Sequence, residues 1–393
     1  MLDTEILKIL TFTPGNGGAW GLPAYWWGPP GIGKSAIIEG FCADWQIPCE
    51  VLTPGERGHG GFGAVPVPVQ QDGATVITYP VPEWALRMQQ AGVGFVFVDE
   101  MTTATPTIQP ALLGLVNARR IGATNLLPTV RVMGAMNPVD QAAGGWDIAP
   151  PLANRAGHFD VDSPEADQWC DWLIGGPAAR KDSGAWKQEQ DRVLGVWDGL
   201  FAEAKGLVSG FIKREPSRLY DMPKASNPGL SKAWPSPRTW ELATRALAGC
   251  QAHGAGENME TTMVEAFVGP GTAQSFLAWR ASLDLPDPMD ILTGKVKFKH
   301  DKNRLDRTIV TLNACAGLCI QKSLQEDVQT ERATTLWGVL GSLQKDGGVP
   351  PDVIFRPAAA LCKNRLYRGI KEATPVTKQL LPMMRAANIM DGA

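Results

Sequence analysis

A glycine-rich run near the N-terminus constrains this chain most, because it matches G-x-x-x-x-G-K-[ST], the pattern of a phosphate-binding loop. The run comprises Gly28, Pro29, Pro30, Gly31, Ile32, Gly33, Lys34 and Ser35, with Ala36 directly after it. Its glycines allow the backbone to turn N–H groups inward, where they can bind a polyphosphate. We expect Lys34 to reach the β- and γ-phosphates and the Ser35 hydroxyl to bind Mg²⁺. The alternative is a surface turn, which the predicted strand before the run and the predicted helix after it disfavour.

A second polar signal follows the apolar run at residues 94–98, which ends in Asp99 and Glu100. A continuous apolar run of this length is typical of a strand that is buried on both faces of a parallel sheet. Ligands of open α/β sheets bind at the carboxyl ends of the strands. Asp99 is therefore predicted to hold Mg²⁺ through its water shell, and Glu100 to orient and deprotonate an attacking water. Two solvated turn acids are the simpler alternative, and the phosphate-binding loop upstream makes it the weaker one.

Three later residues complete the candidate site. Asn137 ends a predicted strand at residues 130–136, where an uncharged amide can sense a γ-phosphate without adding charge. Arg155 follows a Pro-rich turn. Arg238 lies in the first turn of a predicted helix that has Ser236 at the N-cap and Pro237 at N1, so it is placed to bind a phosphate.

This ordered set of motifs resembles the AAA+ ATPases, and among them the MoxR-type group, over residues 27–294. The group carries an insert in helix 2 and a hairpin before sensor 1. The resemblance implies these roles: Lys34 and Ser35 in Walker A, Asp99 and Glu100 in Walker B, Asn137 as sensor 1, Arg155 as the arginine finger and Arg238 as sensor 2.

Both insertions are visible in the sequence. The helix-2 insert is predicted at residues 54–81, with a hairpin on an Asp-Gly turn at its centre. The hairpin before sensor 1 is predicted at residues 119–132. One position departs from the group, in which a Phe usually follows the finger, because Ala156 follows Arg155 here. Arg119 and Arg120 are therefore rival candidates for the finger.

The sequence predicts an α/β fold: an AAA+ P-loop αβα sandwich with a mostly parallel five-stranded sheet, followed by an α-helical lid and a helical C-terminal extension. The predicted domains are residues 1–164, 165–294 and 295–393. Helical spacing begins after residue 165, where Trp169, Trp172 and Leu173 share one helix face. The C-terminal extension is either a module that docks a partner or, as we favour, a segment that packs on the lid.

Composition fits a cytoplasmic enzyme. The net charge is −3 and no block of like charge stands out, so the general footprint of nucleic-acid binding is absent. The seven cysteines include no C-x-x-C pair, and Cys315 and Cys319 are expected to be small buried residues. The N-terminus shows no signal-peptide pattern, and no apolar run approaches the roughly 20 residues of a membrane span.

Aromatic and histidine positions add two weaker expectations. Most of the fourteen tryptophans are expected in the core, and Trp146 is the best candidate for an exposed contact. His59 is interpreted as part of a mobile insert tip, with a role at a pore as the alternative.

The resemblance implies an ATP-hydrolysing ring motor that binds ATP and Mg²⁺ between neighbouring subunits of a hexamer. Members of the group remodel or activate partner proteins, often with a von Willebrand factor A protein. One alternative is a DNA-acting loader or translocase, which the near-neutral charge disfavours. Another is a nucleotide-gated scaffold in a defence or signalling complex, which the intact Glu100, Asn137 and Arg155 disfavour. The residue that switches the catalytic glutamate is unassigned, with Thr53 as a guess.

Overall fold

A computed structural model describes most of the chain: residues 3–63, 65–138, 141, 145–175, 180–182, 184–224, 227–322 and 324–389. Within these residues no helix is both long and apolar enough to cross a membrane.

A five-stranded sheet forms the core of the N-terminal part, with strand order β2-β5-β8-β1-β9. All four neighbouring pairs in this sheet run parallel. The strands are β1 (Ala24–Trp27), β2 (Cys49–Leu52), β5 (Gly94–Val98), β8 (Val130–Met136) and β9 (Gly157–Asp160), and two separate hairpins are formed by β3 (Val67–Gln71) with β4 (Ala74–Thr78) and by β6 (Arg120–Ile121) with β7 (Thr124–Asn125).

Sixteen α-helices are present in the described residues. They are α1 (Thr4–Phe12), α2 (Lys34–Asp44), α3 (Pro54–Gly61), α4 (Glu83–Ala91), α5 (Gln109–Ala118), α6 (Pro150–Ala153), α7 (Ala166–Gly175), α8 (Ala185–Arg214), α9 (Pro237–His253), α10 (Glu257–Val268), α11 (Pro270–Ala281), α12 (Pro288–Leu292), α13 (Leu305–Cys319), α14 (Glu326–Asp346), α15 (Pro351–Lys363) and α16 (Ala373–Ala386). The predicted fold class, a mostly parallel α/β sandwich with a helical C-terminal part, is confirmed.

The central strands are buried on both faces and, apart from Arg131 of β8, their side chains are largely apolar, as is typical of parallel strands. Every residue of β1, β5 and β8 is buried. On one face, Tyr25 and Trp27 join an apolar cluster with residues of α5. On the other, the Trp26 ring lies 4.9 Å from the Phe159 ring of β9. Burial on both faces fixes the register of β1 between its neighbours.

The predicted insert at residues 54–81 is more regular than its Gly- and Pro-rich sequence indicates. It begins with helix α3, which the sequence did not predict, and continues into the β3–β4 hairpin. Asp72 and Gly73 form the hairpin turn with positive φ angles of 50° and 80°, which is the conformation that an Asp-Gly turn favours. The second predicted hairpin is only a pair of two-residue strands, β6 and β7.

Two compact units divide the chain, each with its own core. The first comprises residues 1–190, 220–249 and 256–272, and contains the sheet. The second comprises residues 191–219, 250–255 and 273–393, and is helical. The predicted domain boundaries at residues 164/165 and 294/295 stay a prediction.

The core of the second unit is built around Trp337, which is fully buried in α14. Its indole N–H donates to the carbonyl oxygen of Leu366 at 2.7 Å, so the one polar atom of the ring is paired. Cys315 and Cys319 lie buried in the same cluster, as expected for small apolar residues.

Tryptophans are mostly buried, as expected, and Trp146 is 46% exposed. Helix α7 differs. Its spacing puts Trp169, Trp172 and Leu173 on one face as predicted, but these side chains are 48%, 60% and 58% exposed.

Replacing Trp337 with alanine should lower the free energy of unfolding by about 3–5 kcal/mol, because it opens a cavity and leaves the Leu366 carbonyl unpaired. Trp146→Ala, at a 46% exposed position, should change it by less than about 0.5 kcal/mol. Urea unfolding followed by circular dichroism measures both. Equal destabilisation by the two variants would contradict this assignment of the core.

Candidate functional site

Three neighbouring strands bring the predicted catalytic motifs to one edge of the sheet. The phosphate-binding loop follows β1, Asp99 and Glu100 follow β5, and Asn137 follows β8, which lies between the other two. Because the strands are parallel, their carboxyl ends share the same edge.

The loop backbone depends on glycine at two positions. Gly31 and Gly33 have φ angles of 80° and 88°, which side chains with a Cβ rarely adopt. No heavy atom lies within 4 Å of the place where a Cβ on either residue would stand, so backbone conformation rather than crowding requires glycine there. Gly33 is the N-cap of α2, and the free N–H groups of that helix start at Lys34. The loop therefore presents a helix N-terminus to an anion.

The Lys34 ammonium group is buried and makes three hydrogen bonds. It donates to the carbonyl oxygens of Gly28 at 2.7 Å and Pro29 at 2.8 Å. Its third bond, also 2.8 Å, is to the Oδ1 atom of Asn137. Burial lowers the pKa of Lys34, while the carboxylates of Asp99 and Glu100 act in the opposite direction. The Lys34 ammonium group thus links the loop to the residue that follows strand β8. Lys34 and Asn137 are 103 positions apart, and no sequence pattern predicts this contact.

Ser35 and Asp99 form the second link across the site. The Ser35 hydroxyl donates a short hydrogen bond to Oδ2 of Asp99. The other carboxylate oxygen of Asp99 accepts from the backbone N–H of Glu100 at 2.8 Å. A hydroxyl and a carboxylate side by side are a donor set that suits Mg²⁺, which keeps several waters and takes only one or two protein oxygens. The residues present fit the metal that the sequence predicts.

Glu100 has an unusual backbone. Its φ and ψ angles of 50° and 43° are left-handed, which is uncommon for a residue other than glycine and costs conformational energy. Thr103 holds this turn, because its hydroxyl and its backbone N–H both donate to the Glu100 carbonyl at 2.8 Å. The Glu100 side chain is exposed at the edge of the sheet. A strained backbone that fixes an exposed acid beside a phosphate-binding loop is suited to a general base.

Thr103 is also bonded to the predicted insert, since its hydroxyl accepts from the backbone N–H of Gly55 at 3.2 Å. The carbonyl of Thr53 instead accepts from Glu56 and Arg57 at the start of α3. Thr53 stays a hypothesis for the residue that switches the glutamate Glu100. Thr103 is the threonine that contacts the Glu100 backbone.

Arg155 lies near the amino ends of the strands, whereas the phosphate-binding loop lies at their carboxyl ends. Arg155 precedes Gly157, the first residue of β9, which pairs with Ala24 at the start of β1. Strand β1 separates those amino ends from the phosphate-binding loop by roughly 10 Å. The Arg155 Nη1 atom donates to the carbonyl of Pro151, and its buried Nε atom has no partner among the described residues. Burial, and then the charge of Arg238, lower the pKa of Arg155.

Arg238 shares a cavity of about 370 Å³ with Arg155. The predicted helix start is present, because the backbone N–H of Thr239 donates to the Ser236 hydroxyl at 3.2 Å. That hydroxyl donates to Oδ1 of Asn154 at 2.6 Å, and the Asn154 amide donates to the Trp234 carbonyl at 3.0 Å. These bonds tie the segment of Arg155 to the start of the Arg238 helix. No sequence pattern predicts this pairing of Asn154 with Ser236, both of which are buried.

The rival candidates for the finger differ from Arg155. Arg119 is bonded to backbone carbonyls, with Nε donating to Val130 at 3.0 Å and Nη2 to Trp20 at 2.8 Å. It therefore has a structural role in this fold. Arg120 is exposed on the short strand β6 and stays a rival.

The site residues thus form two clusters in one unit. One cluster lies at the carboxyl ends of the strands and comprises Lys34, Ser35, Asp99, Glu100 and Asn137. The other lies at the amino ends and comprises Arg155 and Arg238. The second cluster presents two guanidinium groups that have no carboxylate partner among the described residues. Glu241, an acid that lines the same cavity, is paired with Arg245, so the guanidinium groups of Arg155 and Arg238 are suited to bind an anion.

His158 supports the strand that carries the loop. The Trp27 indole N–H donates to its Nδ1 atom at 2.9 Å, so Nε2 carries the proton and donates to the Ala153 carbonyl at 2.9 Å. Burial, the largest cause, lowers the pKa of His158 to about 4. The ring is therefore neutral at physiological pH and holds Trp27, the residue directly before the loop.

Comparisons with known proteins are sparse. No family model and no curated protein matches the chain. Among solved structures, a proposed ATPase from Cytophaga hutchinsonii is similar at 11% sequence identity and a TM-score of 0.41, over 67% of this chain and 80% of that chain. A similarity this weak indicates nothing about the function of this chain.

His158 should make stability fall in acid. Its pKa is about 4 in the folded chain against 6.5 for an ordinary histidine, so the unfolded chain binds the extra proton between these values. The contribution of the neutral His158 ring to the free energy of unfolding is complete above pH 6.5. It is lost as the pH falls to 4, and the total loss is about 3 kcal/mol. His158→Asn keeps an acceptor for Trp27 but does not titrate. Denaturant unfolding at several pH values should show a shallower decline for this variant, and identical slopes would contradict the prediction.

Proposed function

We propose that this chain is an Mg²⁺-dependent ATPase of the AAA+ class that works as a ring of identical subunits. The observation that carries the proposal is the cluster at the carboxyl edge of the sheet, where Lys34 contacts Asn137 and Ser35 contacts Asp99. A buried cation, a hydroxyl–carboxylate pair and a strained acid around a helix N-terminus form a site for hydrolysing a nucleoside triphosphate.

Each residue has a defined part in this reaction. The N–H groups of the loop, through Ala36 at the start of α2, bind the phosphate oxygens. Ser35 and Asp99 would hold Mg²⁺, which when bound neutralises charge on the phosphates. Glu100 takes the proton of the attacking water, and its fixed backbone orients the carboxylate. Asn137 lies where it can sense whether a γ-phosphate is present, because it already contacts Lys34.

The arginine cluster supports a site shared between subunits. A transferring phosphoryl group develops charge that an arginine can neutralise. Arg155 and Arg238 lie at the amino ends of the strands, whereas the phosphate-binding loop of their own chain lies at the carboxyl ends. We therefore propose that both arginines act on ATP bound to a neighbouring subunit. A ring follows, because every subunit then gives its arginines to one neighbour and receives those of another.

We further propose the MoxR-type group within this class, a hexameric ring, a cytoplasmic location, and a role in remodelling or activating a partner protein, with a von Willebrand factor A protein as the expected partner. Support for a protein client comes from the insert, whose β3–β4 hairpin exposes Val69 and Ile77 at 39% and 65%. Apolar side chains exposed on a hairpin offer contacts to another protein.

The chemistry is tested by two variants. Glu100→Gln should bind ATP normally and lower turnover by about 10²-fold or more, because an amide keeps the shape of the acid but cannot accept the water's proton. Lys34→Ala should lose tight binding instead. Nucleotide affinity from fluorescence titration and phosphate release measure the two effects separately. Undiminished turnover in Glu100→Gln would show that Glu100 is not the base.

The shared site is tested by mixing subunits. Arg155→Ala should bind ATP yet hydrolyse it on the order of 10³-fold more slowly. Mixing it with Lys34→Ala should restore part of the activity, because some sites combine an intact loop with an intact neighbouring arginine. Arg238→Ala should be rescued in the same way, since Arg238 shares the cavity of Arg155.

Arg120→Ala is the matched control, because Arg120 is an exposed arginine on β6 and lines no part of that cavity. It should retain turnover. Absence of rescue in the Arg155 mixture, together with a loss of turnover in Arg120→Ala, would move the finger to Arg120.

A further inference from the structure

Helix α7 carries an apolar face that nothing covers in the described structure. Trp169 and Trp172 are 48% and 60% exposed, and Leu173 and Ile174 are 58% and 84% exposed. Soluble proteins rarely leave a continuous patch of large apolar side chains in water unless it binds something. Tryptophan in particular is enriched where proteins contact one another.

Helix α7 and the segment directly before it are acidic. Residues 162–175 contain Asp162, Glu165, Asp167 and Asp171, with no lysine or arginine between them. All four acids are exposed. The surface of α7 is therefore apolar and negative together, which selects a partner surface that is apolar and positive.

A groove with those properties lies in the second unit. It encloses about 710 Å³ between α14 and residues 297–302. The floor is apolar and includes Phe298, Val339 and Leu343. This volume lies within the range of pockets that bind drug-sized ligands, so the groove can take large side chains.

The rim of the groove is basic. Lys297, Lys299 and Lys302 line it, and none of the three forms an ion pair among the described residues. Lys295, directly before them, is instead paired with Asp290 at 3.2 Å. The single acid in the lining is Asp346 of α14. Three lysines that form no ion pair among the described residues, against a single acid in the lining, favour an acidic, apolar occupant.

We propose that α7 of one copy docks into this groove on a second copy of the chain. The two surfaces match in both respects: tryptophan and leucine side chains against an apolar floor, and carboxylates against unpaired lysines. Each surface lies wholly within one unit, and the two belong to different units.

A second copy is the favoured occupant, since one chain carries both halves of the contact. A contact between two different surfaces is head-to-tail, and such contacts generate rings when the rotation closes. The inference rests on the ring assembly proposed above and identifies a contact that would hold it together.

Charge reversal tests the contact in the full-length chain. One variant reverses the groove with Lys297→Glu, Lys299→Glu and Lys302→Glu. The other reverses the helix with Asp167→Lys and Asp171→Lys. Alone, each brings like charges together and should raise the dissociation constant of the assembly on the order of 100-fold. An equimolar mixture should assemble again, because each helix then meets a groove of opposite charge on the other variant.

The matched control is the triple variant Lys363→Glu, Lys371→Glu and Lys378→Glu. It makes the same change of net charge at exposed positions outside the groove, and it should assemble like the unmodified chain. Circular dichroism confirms that every variant is folded, and sedimentation velocity with and without ATP and Mg²⁺ gives the mass.

Assembly that either reversal leaves intact would overturn the proposal and leave α7 to another partner or to its own chain. A mixture of folded variants that stays monomeric would overturn it too, as would an unmodified chain that never assembles. Rescue by mixing in a chain that does not hydrolyse ATP would support the contact while the proposed ATPase failed. Normal ATP turnover in charge-reversal variants that still assemble would support the proposed ATPase and overturn the contact.

Discussion

Parallel pairing of β1 between β8 and β9 is the constraint on which the rest of the structure depends. It places the end of β1 next to the end of β8, which is why Lys34 and Asn137 come within 2.8 Å although they are distant in sequence. It also aligns the start of β9 with the start of β1, which holds Arg155 away from the phosphate-binding loop. One register thus determines which polar groups meet and which are kept apart. Burial on both faces of β1 keeps that register from slipping.

The sequence predicts this structure well where the signal is local. The burial of β5 and the Asp-Gly hairpin turn each depend on residues within one short segment, and both predictions are confirmed. The cap on Arg238's helix is of the same kind, since Ser236 and Thr239 lie within one turn. Phosphate binding by the glycine-rich loop stays a prediction.

Features that depend on contacts between distant segments were not predictable. Nothing local to Asn154 or Ser236 indicates that they bond to each other, so the shared cavity of Arg155 and Arg238 was invisible in the sequence. Helix α3 was missed because glycine and proline weaken the helical signal, although a tertiary bond from Gly55 to Thr103 supports its first turn. The spacing of the apolar residues of α7 predicts that they share one helix face. It does not predict whether the rest of the chain covers that face.

The three bonds of Lys34 have a consequence for the proposed ATPase cycle. When phosphate leaves in that cycle, the buried ammonium group can return to the oxygens of Gly28, Pro29 and Asn137, so its hydrogen bonds are satisfied in the empty site. The free energy that would otherwise retain the product is thereby reduced. A lysine whose hydrogen bonds are satisfied within its own chain would make the proposed site easier to empty, and repeated turnover requires release as much as it requires tight binding.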